Sequence, residues 1–259
     1  MKKTAAAVLT VLILLSGCSV DVGRTIETEA SLQEPIPEIS PEPSVEEMLD
    51  IITSSPEYPG ALVKLALENR ETAEYVYLYP ELQGRVFEAD LSEEAALGKT
   101  PLFLQWDLRW GYKDYGGSPL GLSGCGPTCL SMVAVYLLED PTLDPGSMAQ
   151  FALENDFRIP GNGTSWGLFT DGCRKLGLDS DELPLDRGVM EAALDDGKPI
   201  VAVLGKGDFT DSGHFIVITG YGPEGFTVND PNSIARSGAV WPYDRVSVQI
   251  NNMWAMSRS

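Results

Sequence analysis

The chain is expected to fold as an α+β protein, a helical part followed by an antiparallel sheet, and three observations predict it. Apolar residues recur at helical spacing as far as about Pro199. Beyond that point they gather in short β-branched and aromatic runs bounded by Gly, Pro and Asn. No internal repeat interrupts this order. A length of 259 residues fits a small domain beside a medium one. The 38 Asp+Glu against 18 Lys+Arg give a formal net charge of -20, which repels phosphate backbones and anionic headgroups. Nucleic acid is therefore not an expected partner, and solubility is sufficient reason for an acidic surface.

The elements are taken in chain order. Lys2 and Lys3 precede an apolar stretch, Ala5 to Leu15, too short to span a bilayer comfortably, and Leu15-Ser16-Gly17-Cys18 comes immediately after it. This resembles bacterial lipoprotein precursors. The resemblance implies a signal peptide over residues 1–17, a lipid on Cys18, and a location on the extracytoplasmic face of the cell membrane. Residues 18–43, rich in Glu, Pro, Ser and Thr, read as an acidic stalk that cannot bury a core.

Residues 44–97 turn helical, with Met48, Leu49 and Ile52, then Leu62, Leu65 and Leu67, then Tyr75, Val76 and Leu78 at core spacing. Three short helices are expected, the first capped by Ser44 with Glu47 closing a capping box. Residues 98–259 form the larger domain. Helices are predicted at 126–138, 145–154, 165–176 and 187–195, and strands at 200–204, 215–221, 226–229, 246–250 and 254–256.

The chemistry concentrates at Ser123-Gly124-Cys125-Gly126-Pro127-Thr128, ahead of a run from Leu130 to Leu138 that is apolar almost all round and therefore a buried helix. Glycines flank Cys125, and Pro127 fits only a first helical turn, so the thiol is placed at a helix N-terminus, where free N–H groups favour thiolate. His214 is the sole imidazole in the chain and opens the apolar run Phe215–Thr219, which makes it the candidate base for Cys125. One histidine and scattered cysteines supply too few ligands for zinc, and no metal or cofactor is expected. Cys125 and Cys129, four apart on a helix, are too distant to bridge; Cys129 and Cys173 read as buried small apolar residues, with a bridge between them left open.

Asp230 is the candidate to orient His214. A three-residue loop, Pro223 to Gly225, would pair Gly222 with Phe226 and set His214, Val228 and Asp230 on one face. A straight ladder, however, puts Asp230 opposite Ile218, roughly 13 Å along the strand from His214. Spacing leaves Asp230 unsettled.

Gln105-Trp106-Asp107, Arg109-Trp110, Tyr115-Gly116, Ser123 to Thr128, Gly213-His214 and Val228-Asn229-Asp230-Pro231 resemble the bacterial cysteine peptidases related to the bacteriocin double-glycine leader peptidases. The likeness runs from about Pro101 to Pro231, and Gly220-Tyr221-Gly222-Pro223 is similar to the matching hairpin of papain. It implies a papain-like fold and peptide or protein substrates. By this resemblance Cys125 is the nucleophile, His214 the base, Asp230 its orienter and Gln105 an oxyanion donor. The leader peptidases proper are fused to a transporter, whereas no apolar segment after the first is long enough to span a membrane. Substrates are therefore expected outside the membrane. A cell-wall peptide hydrolase or acyltransferase using the same Cys–His pair, and an inactive binding lipoprotein on the same fold, are the alternatives. Trp106, Trp110, Tyr112 and Tyr115 are expected to staple the loop before Cys125 to the core rather than line a groove.

Overall fold

A computed structural model describes residues 43–259; the expected signal peptide, Cys18 and nearly all of the expected stalk lie outside the described residues. The first helix, α1 (Val45–Ser54), begins at a complete capping box between Ser44 and Glu47, as its sequence predicts. Next come α2 (Gly60–Glu68), a 3₁₀ turn at Arg70–Thr72, α3 (Ala73–Tyr77), α4 (Tyr79–Leu82) and α5 (Ser92–Ala95). Three helices are expected here; the chain breaks into shorter pieces, because Pro80 and Asn69 sit where longer ones would run. Leu67, expected in the core, is 55% exposed, and Ala66 takes the buried position four residues after Leu62. The core of these helices also takes in Tyr112, whose ring stacks on Tyr75 at 4.8 Å.

The short α6 (Leu120–Ser123) leads directly into α7 (Cys125–Leu138). From Gly126 to Val135 every residue of α7 is buried, so this helix is the axis of the core. Leu130, Met132, Val133 and Val135 are fully enclosed, each contributing about 1.5–3 kcal/mol by burial. Asp144 caps α8 (Pro145–Glu154) through the Gly146 and Ser147 N–H groups at 2.7 and 3.1 Å, with Pro145 at the first helical position.

Two two-residue strands, β1 (Arg158–Ile159) and β2 (Gly163–Thr164), form a small ribbon. The single helix expected at 165–176 is instead a 3₁₀ turn at Trp166–Phe169, capped by Ser165, and α9 (Asp171–Lys175). They are separated by Thr170, whose ψ of -81° lies off the helical region. Then come β3 (Leu178–Glu182), α10 (Arg187–Asp195), β4 (Ile200–Leu204), β5 (His214–Gly222), β6 (Gly225–Asn229), α11 (Ile234–Ser237), β7 (Val240–Trp241), α12 (Tyr243–Ser247) and β8 (Ile250–Arg258).

Among the described residues, six strands form one antiparallel sheet in the order β3-β8-β4-β5-β6-β7. Both faces are covered. Val201, Val203, Phe215, Val217, Trp254 and Met256 pack towards α7, while Ile200, Ala202, Ile216, Ile218, Met253 and Ala255 pack towards α10. That is why β4 reads as an unbroken apolar run. The α+β class is as the sequence predicts.

One strand expectation fails, and one edge strand forms where none is expected. Residues 246–250 alternate apolar and polar, yet they close α12 and only Ile250 enters β8. Val248 is 82% exposed while Gln249 is buried, so this alternation marks no shared apolar face. The sequence gives no strand signal for β3, because Leu178 is its only buried residue; its Asp179, Asp181 and Glu182 keep an edge strand in water.

Candidate active site

Cys125 is the first residue of α7, and the glycines beside it are there for space. A Cβ on Gly124 would lie 2.5 Å from the Leu120 carbonyl oxygen, and one on Gly126 would lie 2.7 Å from Cβ and Oγ1 of Thr164. Tyr115 holds Thr164 in place through a 2.8 Å hydroxyl contact. The chain can thus turn from α6 into α7 with the thiol facing a cleft and its first-turn N–H groups lacking an intrahelical acceptor.

His214 opens β5 and is buried. Its Nε2 lies 2.7 Å from Asp230 Oδ1, which leaves Nδ1 for the Cys125 thiol, the other group that shifts its pKa. Burial alone would lower the imidazole's affinity for a proton. The Asp230 carboxylate and the thiol outweigh it and push the pKa up to about 10. Burial likewise pushes the Cys125 thiol up, but His214 and the Phe215 and Gly126 N–H groups hold it below its ordinary value. The other described thiols go the opposite way: burial raises Cys129 far above its ordinary value and Cys173 to about 12. Both are free, so no bridge joins them.

How Asp230 reaches His214 is a matter of register. The expected three-residue loop is a two-residue one, Pro223–Glu224, because Gly222 pairs with Gly225. A Cβ on Gly225, at φ 147°, would lie 2.2 Å from the Trp241 carbonyl oxygen as β7 crosses it. The shorter loop by itself would put Asp230 on the opposite face from His214. A bulge at Thr219 then shifts the ladder again, so that Ile218 pairs with Val228 and Val217 with Asn229. Continued one residue, the ladder sets Asp230 opposite Ile216, two residues or roughly 7 Å from His214 instead of four. Loop and bulge together restore the face and halve the gap, and the side chains bridge the rest.

Asp230 is fully buried and its partners hold it ionised. Burial favours the neutral acid, yet His214 and then Arg236 pull its pKa below the usual carboxylate value. Oδ1 also accepts the Asn232 N–H at 2.8 Å, Oδ2 accepts from Arg236 Nε, and the Asp230 N–H donates to Ser237 Oγ at 2.9 Å. No local sequence signal announces Arg236; its partner lies six residues back, around a turn with no regular period. Leading into His214, the loop at 205–213 is tied to buried Gln249, whose Oε1 accepts the Asp208 N–H at 2.6 Å.

Gln105 lines the same cleft as Cys125 and His214. Its Nε2 donates to the Gly121 carbonyl at 2.9 Å, which fixes the amide and leaves its second N–H unused by that bond. The cleft, about 850 Å³, runs between the 159–166 segment and the 203–215 segment, with Leu65 of α2 at its edge. Trp110, Tyr112 and Tyr115 are buried staples and, like Trp106, stay out of the cleft; Trp166, 45% exposed, stands in its wall with the largely buried Phe209 and Phe215.

Residues 181–259 match the model of the Peptidase_C39 like family, a segment that includes His214 and Asp230 but not Cys125 or Gln105. No curated protein matches the chain. Among solved structures, the chain is similar to the peptidase domain of Streptococcus ComA, described as a bi-functional ABC transporter involved in a quorum-sensing pathway. That likeness has 17% identity and a TM-score of 0.41, covering 53% of this chain and 93% of that one. A putative C39-like peptidase from Bacillus anthracis is similar at 16% identity and a TM-score of 0.38, covering 63% and 97%. What this chain resembles over its last strands is thus a peptidase family, in the stretch that presents the imidazole and its carboxylate.

Proposed function

We propose that this chain is a cysteine peptidase that hydrolyses peptide bonds through a thioester acyl-enzyme, held outside the membrane by a lipid on Cys18. The observation that carries the reading is that Cys125 and His214 line one open cleft, with His214 bonded to buried Asp230 and Cys125 alone among the described thiols held below its ordinary pKa. The family match over residues 181–259 supports the same reading. The lipid anchor and the extracytoplasmic site rest on the sequence around Cys18.

In this reading the Cys125 thiolate attacks the scissile carbonyl carbon, forming a C–S bond and an oxyanion. The Cys125 N–H and Gln105 Nε2 stabilise that oxyanion. Collapse breaks the C–N bond as imidazolium His214 gives its proton to the leaving amine. His214 then takes a proton from water, whose oxygen attacks the thioester; the acid product departs and the thiolate–imidazolium pair is restored. Asp230 holds the ring so that Nδ1 faces the sulfur in each step.

Screening a peptide library with wild type and Cys125→Ala tests the proposal: cleavage should be lost in the variant while its circular dichroism is retained. A folded variant that still cleaves would sink it. The rate against pH should be bell-shaped. Its acid limb marks protonation of Cys125 below the thiol's ordinary value, and its alkaline limb marks loss of the His214 proton near pH 10.

A further inference from the structure

The segment carrying Asp230 is fixed from a distant part of the chain. Glu71, in the turn after α2, accepts three hydrogen bonds from residues just beyond Asp230. The Ile234 N–H reaches Oε2 at 2.6 Å, and the Ala235 N–H and Ser233 hydroxyl reach Oε1 at 2.9 and 3.1 Å. Next to it, the Asn69 side-chain amide donates to the Asn232 carbonyl at 2.5 Å, and Trp106 Nε1 donates to the same oxygen at 3.2 Å. Glu71 itself is half-buried. The residues so held are the ones that hold Asp230: Asn232 and Arg236 bond its carboxylate, and the Arg236 N–H returns to Ser233 Oγ at 3.1 Å.

We infer that Glu71 is a positioning residue for the His214–Asp230 pair, and that the helical segment is thereby a working part of the active site. The inference rests on the proposed roles of Cys125, His214 and Asp230. Without Glu71, three donors in the 233–235 turn lose their acceptor, and the turn that places Arg236 against Asp230 is free to move. Asp230 would then hold His214 less well, and His214 would hold the Cys125 thiolate less well. A carboxylate that served stability alone would alter unfolding and leave the thiol unchanged.

The test reads the thiol directly. The rate of Cys125 alkylation by iodoacetamide is measured against pH for wild type, Glu71→Ala, Glu71→Gln and Glu46→Ala, with the Cys125 adduct identified by mass spectrometry. Glu46 pairs with Arg70 on the same helical segment without touching the 230–237 turn, so it reports general loosening. Glu71→Ala should move the acid limb up by about one pH unit, which is about tenfold slower alkylation at a pH below that limb. Glu71→Gln, with one acceptor oxygen in place of two, should show a smaller shift, and Glu46→Ala none. A folded Glu71→Ala or Glu71→Gln protein with the wild-type profile overturns the inference, as does an equal shift in Glu46→Ala. Should Glu71→Ala fail to fold, Glu71→Gln decides. Peptide hydrolysis plays no part in this readout, so a protein that alkylates on this pattern and cleaves no peptide would retain Glu71's role and refute the peptidase reading.

Discussion

The two halves of the candidate site are built in different ways. Cys125 is placed by its own neighbours: Gly124 and Gly126 remove Cβ atoms that would collide with Leu120 and Thr164, and the buried body of α7 anchors the thiol from behind. His214 and Asp230 are placed by remote structure. They depend on a two-residue loop, a bulge at Thr219, an arginine six residues past the carboxylate, and a glutamate about 160 residues before it. A thiol at a helix start needs little outside support, whereas an imidazole–carboxylate pair inside a protein must have every charge paired.

That contrast is broken most severely at Asp230. Asp230→Ala leaves the buried His214 and the Arg236 guanidinium without their carboxylate, and removing one partner of a buried pair costs about 3–5 kcal/mol. Cys125→Ala leaves His214 bonded to Asp230 and should leave the denaturant midpoint much closer to that of wild type. Urea titration of both proteins at pH 7 compares the halves directly, and equal midpoints would refute the difference between them. Because the Asp230 carboxyl is depressed in the folded state, its contribution is present above the ordinary carboxylate pKa and fades as pH falls through the folded value. The gap between the two variants should therefore narrow in acid.

The same contrast explains what is legible in the sequence. Cys125 is legible because glycine, proline and apolar periodicity are local signals, and α8 and α10 are legible through Asp144-Pro145 and Asp186, which cap and start them. Asp230 is legible only by resemblance. The bulge at Thr219 has no composition of its own, and the loop is one residue shorter than its glycine suggests. Arg236 and Glu71 carry no signal, since nothing in a linear pattern pairs a carboxylate at 71 with the turn at 233–235. The strand expected at 246–250 fails for the same reason: alternation indicates a strand only if one face is covered, and coverage is a tertiary fact.

A smaller effect is expected from Gln105, which reaches the cleft from the strand-poor segment before Cys125. Its amide is already oriented by the Gly121 carbonyl, so in the proposed role of oxyanion donor it is pre-positioned rather than recruited by substrate. Gln105→Ala should lower turnover on the order of a hundred- to a thousand-fold with KM little changed, because the bond is made mainly to the developing oxyanion. Steady-state kinetics on a peptide found by the library screen separates the two parameters. A rise in KM at constant kcat would instead make Gln105 a contact to the ground-state substrate.

The smallest change probes the local half alone. A methyl group added at Gly126 meets the Thr164 side chain at 2.7–2.8 Å, so Gly126→Ala must push the start of α7 away from β2 or force Thr164 off its bond to Tyr115. Overpacking of this kind costs about 1–3 kcal/mol. If the collision is with Thr164, trimming that residue should relieve it, so Gly126→Ala combined with Thr164→Gly should recover part of the loss, a coupling that a double-mutant cycle measures. The Asp230 half should be untouched by this pair, because His214 remains bonded to its carboxylate even as the helix start loosens.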